Sequence, residues 1–179
     1  CGICGEMIWS GGQASAARIE TMADTMARRG PDGAGIVTRG NVGFGHRRLK
    51  IIDLSDAGGQ PFVDTLLGLT IVFNGCIYNY PELRAELAGK GHVFTSTSDT
   101  EVIVKAWAEW GPRSVERFLG MFAFVIHDRN TGRVAMVRDR FGLKPLYYAE
   151  TQDGLRFAST LPALLAAGGI DTSIDRVAL

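Results

Sequence analysis

The sequence predicts an α+β fold built on antiparallel sheet. Its strands and helices come in groups, whereas a doubly wound parallel fold alternates them strictly. Several apolar segments are short and are separated by turn dipeptides such as Arg39-Gly40 and Asp153-Gly154. The length of 179 residues suits one domain with a substantial core.

A strand followed by an amphipathic helix is predicted at the start of the chain. The first nine residues are apolar enough to form a strand that enters the core, and Gly11-Gly12 ends it. The next segment places four apolar side chains on one helical face, namely Ile19, Met22, Ala23 and Met26. Arg28-Arg29 closes this helix, and the turn at 30–33 breaks it.

Three strands and a loop are predicted next. Two short strands, around 35–38 and 41–49, are joined by the Arg39-Gly40 turn. Residues 53–61 are turn-forming throughout and predict a loop. A third strand, 69–73, is predicted to end at Asn74-Gly75.

The second half predicts two helices, four strands and a final short helix. One helix begins near Pro81, and the clearest begins at Ser98, where Glu101 can complete a capping box. The buried stripe of the second helix consists of Val102, Ile103, Ala106, Trp107 and Trp110, before Gly111-Pro112 ends it. The four strands are predicted at 121–127, 134–138, 146–149 and 155–158, and the last helix at 161–167.

The composition excludes several classes of function. Nineteen basic residues balance nineteen acidic ones, so no net field favours nucleic acid or an anionic membrane. The longest apolar run, 121–126, is far too short to span a bilayer. Three cysteines without a framework spacing favour a reducing compartment, and the predicted location is therefore cytoplasmic.

Cys1 and Cys4 form a CxxC pattern, which in other settings marks a metal or redox pair. On a strand, however, residues i and i+3 point to opposite faces. The sequence has no second CxxC, and its three histidines are scattered. No metal site is predicted, and Cys4 and Cys76 are interpreted as small buried residues.

Cys1 differs from the other cysteines because it carries an α-amine as well as a thiol. The amine has a reference pKa of ~7.7–8.0 and the thiol one of ~8.5. A neutral amine close to the thiol, directly or through one water, can accept its proton during nucleophilic attack. The first position of Cys1 does not by itself show that it is a nucleophile. The alternative, that the chain or its ordered part merely begins at this residue, stays open.

Six short motifs follow one another along the chain. They are RGPD (29–32), HRRL (46–49), FNGCIYN (73–79), SDTE (98–101), GMFAF (120–124) and RDRFG (138–142). Together with the leading cysteine they resemble the glutaminase domain of class II glutamine amidotransferases, in particular the asparagine-synthetase-like branch. The resemblance covers nearly the whole chain.

The resemblance implies a fold, a reaction and partners. The fold is the four-layer αββα N-terminal-nucleophile hydrolase fold, with residues 1–168 as the glutaminase domain and 169–179 as the start of a linker to a synthetase domain absent from this chain. The reaction is hydrolysis of the L-glutamine side-chain amide through a Cys1 thioester, with the ammonia used to amidate a carboxylate. No cofactor is expected in this domain, which has no GxxxxGK(S/T) loop. ATP and Mg²⁺ are expected in the synthetase domain of the same polypeptide, and a homodimer is compatible with the family.

The resemblance also assigns roles to individual residues. Cys1 is the nucleophile, and the Asn74 side-chain amide and the Gly75 backbone N–H bind the oxyanion. An Asn-Gly at a strand end can turn such an N–H outward. Arg48 binds the α-carboxylate and Asp99 the α-ammonium of glutamine, and backbone groups of Ile51 and Ile52 line the same pocket. Counting by twos along the strand places Arg48 on one face with Phe44 and His46.

One position departs from the asparagine synthetase pattern. Those enzymes usually carry an acid after Asn-Gly, where this chain has Cys76. The departure concerns the carboxylate that accepts the ammonia and leaves the glutaminase chemistry untouched.

Four charged residues beside turns are interpreted as structural, namely Arg29, Asp32, Arg138 and Asp139. Two alternatives are a non-catalytic domain and a hydrolase of another amide, and the paired charges of Arg48 and Asp99 argue against the second.

Overall fold

A computed structural model describes residues 1–9 and 11–174 of the chain. Within these ranges it has nine strands and four α-helices. The strands are β1 (Gly2–Ile8), β2 (Gly33–Arg39), β3 (Val42–Arg48), β4 (Phe62–Asp64), β5 (Leu69–Ile77), β6 (Gly120–Asp128), β7 (Arg133–Arg138), β8 (Tyr147–Glu150) and β9 (Gly154–Ala158). The helices are α1 (Ala16–Asp24), α2 (Tyr80–Gly89), α3 (Asp99–Trp110) and α4 (Leu161–Ala166).

The strands form two sheets. The first sheet has the order β2-β3-β1-β9-β8, and the second has the order β4-β5-β6-β7. All pairings between these strands are antiparallel. β1, which begins next to Cys1, is the central strand of the first sheet, and β5 lies inside the second.

The two sheets stack face to face, and helices cover their outer faces. Helices α1 and α4 pack on the first sheet, where Ile19 and Leu164 share a core cluster with Cys4. Helices α2 and α3 pack on the second sheet in a larger cluster. The space between the sheets is filled by a third cluster, whose buried members include Ile3, Phe44, Val72, Val125 and Phe157. The order of layers is the predicted αββα.

The start of α3 follows the predicted cap but not the predicted capping box. The Ser98 hydroxyl accepts the Glu101 N–H at 3.3 Å, as the sequence predicts. The Glu101 carboxylate does not return this bond to Ser98, whose N–H donates to the Ser96 hydroxyl at 3.3 Å. The carboxylate instead accepts the N–H groups of Thr95 and Ser96, at 2.9 and 2.7 Å. It therefore holds the loop that leads into the helix.

The prediction that the third strand ends at Asn74-Gly75 is wrong. β5 continues to Ile77 and stays paired with β6 along this stretch. A Cβ at residue 75 would collide with the carbonyl oxygen of Met121 on β6. Glycine is required here because a neighbouring strand approaches closely, and not because the chain turns.

The C-terminal part of the chain carries the predicted linker, 169–179. The predicted last helix corresponds to α4, and residues 169–174 are neither helix nor strand. Residues 175–179 lie outside the described residues, so the boundary at 168 stays a prediction. Within the described part of the chain, no helix has the length and apolar character needed to cross a bilayer.

Candidate active site

The predicted site residues meet in one cavity of about 290 Å³, here called the Cys1 cavity. All seven of them line it, namely Cys1, Arg48, Ile51, Ile52, Asn74, Gly75 and Asp99. The cavity lies where the start of β1 and the end of β3, in the first sheet, face the last part of β5 and the start of α3. The fold thus gathers groups that are far apart in the sequence.

Two larger depressions lie elsewhere on the molecule. One, of about 700 Å³, adjoins Trp107, and the other, of about 1020 Å³, adjoins Arg156. No cysteine lines either of them. Since volume alone does not indicate chemistry, the Cys1 cavity is the candidate active site because of the groups that it contains.

Backbone groups fix Cys1 at the start of β1. The N–H of Leu49 points at its sulfur, with 3.3 Å between nitrogen and Sγ. Arg29 Nε donates to the Cys1 carbonyl oxygen at 3.1 Å. A donor directed at the sulfur favours the thiolate over the thiol. Cys1 is therefore held in place with its sulfur on the cavity wall.

The α-amine of Cys1 is tuned by its surroundings. Its burial, and then the positive charges of Arg29 and Lys144, lower the pKa of the amine from 8.0 to about 6. At neutral pH such an amine is mostly unprotonated. It is then able to accept a proton from the thiol of the same residue.

Cys4 lies in a different environment. Its sulfur faces α1, 3.7 Å from the carbonyl oxygen of Ile19. Burial raises the pKa of its thiol to about 12, so it stays protonated and unreactive. All three cysteines are free. Among the residues that the structure describes, no cluster of histidine, cysteine and acidic side chains is suited to hold a metal ion.

Two N–H donors are available in the cavity that Cys1 lines. The Asn74 side chain is buried, and its Nδ2 has no hydrogen-bond partner among the described residues. Along β5, alternate residues direct their N–H groups to the same edge of the strand. At this edge the N–H of Phe73 donates to Gln60 Oε1 at 2.6 Å, and that of Ile77 to Asp99 Oδ2 at 3.0 Å. The N–H of Gly75 lies between them and faces the cavity.

Arg48 is buried at the end of β3, with its guanidinium fixed by a loop. It donates to the carbonyl oxygen of Ser55 at 2.7 Å and to that of Asp53. Asp53 in turn accepts the Thr97 N–H at 2.9 Å, which ties this loop to the segment before α3. A guanidinium has five N–H groups in a planar fork, so donors remain for a carboxylate in the cavity.

Asp99 is the first residue of α3 and is almost fully buried. Its burial raises the pKa of the carboxyl group to about 6, although the backbone N–H groups of Ile77 and of the helix start oppose the shift. A buried carboxylate without a cation gains strongly from a cationic ligand. Burial, and then the charge of Asp99, raise the pKa of the neighbouring Cys76 thiol, which therefore stays neutral.

Comparison with known proteins shows which family the chain belongs to. A model described as a glutamine amidotransferase domain matches residues 1–179. The chain belongs to this family. The amidotransferase domain is 38% identical over 163 residues to asparagine synthetase [glutamine-hydrolyzing] 3 of Bacillus subtilis, covering 90% of this chain and 26% of that protein. It is 40% identical over 152 residues to the amidase chry2 of Gibberella zeae, covering 84% of this chain and 22% of that protein.

The architecture of the amidotransferase domain also has a solved counterpart. The glutamine phosphoribosylpyrophosphate amidotransferase from B. subtilis, complexed with ADP and GMP, matches with a TM-score of 0.79 and 22% identity. The match covers 95% of this chain and 44% of that chain. It confirms the predicted α+β fold of two stacked antiparallel sheets with helices outside. The domain spans about a quarter of the length of the curated relatives that it matches.

Two residues of the amidotransferase site have no functional assignment from the sequence. Arg29 is predicted to be structural, yet it donates to the carbonyl oxygen of Cys1. Lys144 has no predicted role, yet it lines the cavity. It lies two residues after the RDRFG motif, whose Asp139 accepts the Lys144 N–H at 3.1 Å and whose Arg138 donates to the Lys144 carbonyl at 2.7 Å. That motif was the available signal.

Proposed function

We propose that this domain hydrolyses the side-chain amide of L-glutamine to glutamate and ammonia. One observation carries the proposal: the Cys1 cavity brings together a thiol, a half-buried amine, free N–H donors, a guanidinium and a carboxylate. Each of these groups suits one part of a glutamine molecule. Membership in the glutamine amidotransferase family supports the same substrate.

The first step forms a tetrahedral intermediate, which becomes a thioester when ammonia leaves. Cys1 Sγ attacks the amide carbon while the α-amine of Cys1 accepts the thiol proton, and the electron pair of the carbonyl bond moves to oxygen. Asn74 Nδ2 and the Gly75 N–H donate to this oxyanion. Because Asn74 Nδ2 has no partner among the described residues, no hydrogen bond of this group to them has to break first.

The second part of the cycle releases both products. The protonated amine returns its proton to the amide nitrogen, the carbon–nitrogen bond breaks, and ammonia leaves. A water molecule then attacks the thioester carbon, and the same amine accepts the proton of that water. The carbon–sulfur bond breaks, glutamate leaves, and the proton returns to the sulfur of Cys1.

Specificity comes from the far end of the cavity. The Arg48 fork binds the α-carboxylate, and Asp99 binds the α-ammonium. The Ile51 side chain is 70% exposed, which suits a contribution of backbone groups of Ile51 and Ile52 to the pocket rim. An amide that lacks the amino-acid end leaves the buried Asp99 without a cation, so the pair also disfavours the reading as a hydrolase of another amide.

The fate of the ammonia concerns the whole protein. We propose that it amidates a carboxylate activated by ATP and Mg²⁺ in a synthetase domain of the same polypeptide. Similarity to glutamine-hydrolysing asparagine synthetases supports this, and so does the quarter of their length that the domain covers. Aspartate is the acceptor that this branch favours, whereas Cys76 in place of the usual acid favours a different carboxylate. The homodimer and the cytoplasmic location stay predictions.

A comparison of substrates tests the function. Ammonia release is measured with L-glutamine, with L-asparagine and with N-acetyl-L-glutamine, whose α-nitrogen carries no charge. The expected result is rapid release from L-glutamine alone. Similar rates with all three amides would indicate an acylase that does not read the amino-acid end. No release from any of them, by folded protein with a free Cys1 amine, would favour the non-catalytic alternative.

The pH dependence of kcat/KM for glutamine should show an acidic limb near pH 6. The α-amine must be neutral to act as a base, and Asp99 must be ionised to bind the ammonium. Both groups have a pKa of about 6, so activity is present above this pH and is lost as the pH falls through it. Glutamate release from acid to weakly alkaline pH measures the profile. A limb near ~8, the value of an ordinary α-amine, would contradict the buried base.

The Asp99→Asn substitution should weaken glutamine binding more than it slows the chemistry. It removes the charge that the ammonium requires but keeps the size of the side chain. We expect KM to rise by about 30-fold or more, with a much smaller change in kcat. Asp64→Asn is the matched control, because Asp64 pairs with Lys105 outside the cavity. Equal KM values for the two variants would contradict the role of Asp99.

A further inference from the structure

One buried histidine connects the two sheets next to the Cys1 cavity. His46 lies on β3, and its Nε2 is 3.1 Å from the carbonyl oxygen of Phe73 on β5. Because a carbonyl can only accept, Nε2 carries the proton. Within residues 1–9 and 11–174, no other hydrogen bond joins a strand of the first sheet to a strand of the second.

This bond matters because the reacting groups are divided between the sheets. Cys1 and Arg48 lie at the ends of strands in the first sheet, whereas Asn74 and Gly75 belong to the second. The middle of the space between the sheets is filled by a cluster of apolar side chains. The hydrophobic effect is non-directional, whereas a hydrogen bond has a preferred distance and angle.

The bond also joins the two strands close to the reacting groups. Phe73 immediately precedes Asn74, and its N–H is already held by Gln60. His46 is two residues before Arg48 and pairs with Ile3 on β1, two residues after Cys1. A shift at this bond therefore moves the oxyanion donors relative to the nucleophile.

The ring serves no evident purpose as a proton carrier. Its Nδ1 is buried without a partner among the described residues. Burial lowers the pKa of the ring to about 3, so the ring is neutral at every pH at which the Cys1 amine can act as a base. Its remaining function is geometric.

We propose that His46 is a positioning residue. Its hydrogen bond to the Phe73 carbonyl fixes one sheet against the other and directs the N–H donors of Asn74 and Gly75 toward the oxygen of the amide that Cys1 attacks. This inference rests on the proposed glutaminase function. A misplacement of about 1 Å at a reacting centre can cost on the order of a hundredfold in rate.

The test compares His46→Leu, which removes the donor, with His46→Gln, whose amide nitrogen can occupy the position of Nε2. We expect His46→Leu to lower kcat for glutamine by about 30-fold with KM changed less than about 3-fold. His46→Gln should recover most of this loss. Active enzyme is counted by labelling with 6-diazo-5-oxo-L-norleucine, so that a smaller folded fraction does not imitate a slower reaction.

His127→Leu is the matched control. His127 is a buried histidine on β6 at the opposite end of the space between the sheets, and its ring makes no hydrogen bond to any described residue. We expect this variant to keep kcat within about 3-fold of the wild-type domain. A loss equal to that of His46→Leu would show a general effect of changing the interior and would overturn the inference.

A double-variant cycle with Asn74→Ala shows whether His46 acts through the oxyanion donors. If it does, His46→Leu lowers kcat much less in the Asn74→Ala background than in the wild-type domain. An equal loss in both backgrounds, or an unchanged kcat in active His46→Leu enzyme, would overturn the inference. Failure of the proposed function gives a different result, because the wild-type protein itself would release no glutamate from glutamine. In that case the inference about His46 would fail together with the proposed function.

Discussion

Replacement of Cys1 by alanine is expected to lower kcat for glutamate release from glutamine by at least about 10⁴-fold. The substitution removes the only thiol that the structure places beside both a neutral amine and the oxyanion donors. It removes no hydrogen bond of the core, because among the described residues the Cys1 sulfur hydrogen-bonds only to backbone groups of Leu49. Glutamine should therefore still bind, which calorimetry on the alanine variant measures.

The other two cysteines serve as controls. Cys4→Ala removes a buried sulfur from β1, and Cys76→Ala removes a half-buried sulfur that lines the same cavity as Cys1. Both variants should keep most of the activity once the folded fraction is taken into account. If Cys76→Ala were inactive and Cys1→Ala active, the nucleophile would be the second sulfur of the cavity.

The Asn74→Ala substitution should lower kcat by about 10²–10³-fold, as the loss of one oxyanion donor does in other acyl-transfer enzymes. The effect should fall on kcat more than on KM, because the negative charge develops only in the transition state. Since Asn74 Nδ2 makes no hydrogen bond to any residue that the structure describes, the free energy of unfolding should change little. Steady-state kinetics and thermal denaturation measure the two effects.

Asn130→Ala is a suitable control for this prediction. Asn130 Nδ2 donates to the carbonyl oxygen of Leu67 in an exposed turn outside the Cys1 cavity. Its loss should leave kcat unchanged. If Asn74→Ala raised KM and left kcat intact, the Asn74 amide would contact bound glutamine and not the oxyanion.

The strongest local patterns in the sequence predict the fold well. The Ser98 cap of α3 is present as predicted, and Val102, Ile103 and Ala106 of its predicted stripe are buried, whereas Trp107 and Trp110 are half-buried. The predicted strands are present with ends shifted by a few residues. The prediction fails where a distant strand decides the structure. Asn74-Gly75 is a turn signal locally, but β6 extends the strand through it. β4 is not predicted from the sequence, because its three residues are too few to show an alternating pattern.

The same distinction applies to the site: local motifs predict some of its residues, and the rest depend on the folded chain. Motifs indicate Cys1, Arg48, Asn74, Gly75 and Asp99, and the structure places all of them in one cavity. The contact of Arg29 with Cys1, the position of Lys144 and the bridge formed by His46 depend on how distant segments pack. The same is true of the lowered pKa of the Cys1 amine, because burial and neighbouring charges are properties of the folded chain.

The central claim is that Cys1 is the nucleophile of a glutamine-binding pocket. Peptide-mapping mass spectrometry after incubation with 6-diazo-5-oxo-L-norleucine, a glutamine-shaped alkylating agent, tests it most directly when run with and without excess glutamine. The account predicts one adduct, on Cys1, that glutamine suppresses. An adduct on Cys4 or Cys76, or no adduct on folded protein with a free Cys1 amine, would contradict it.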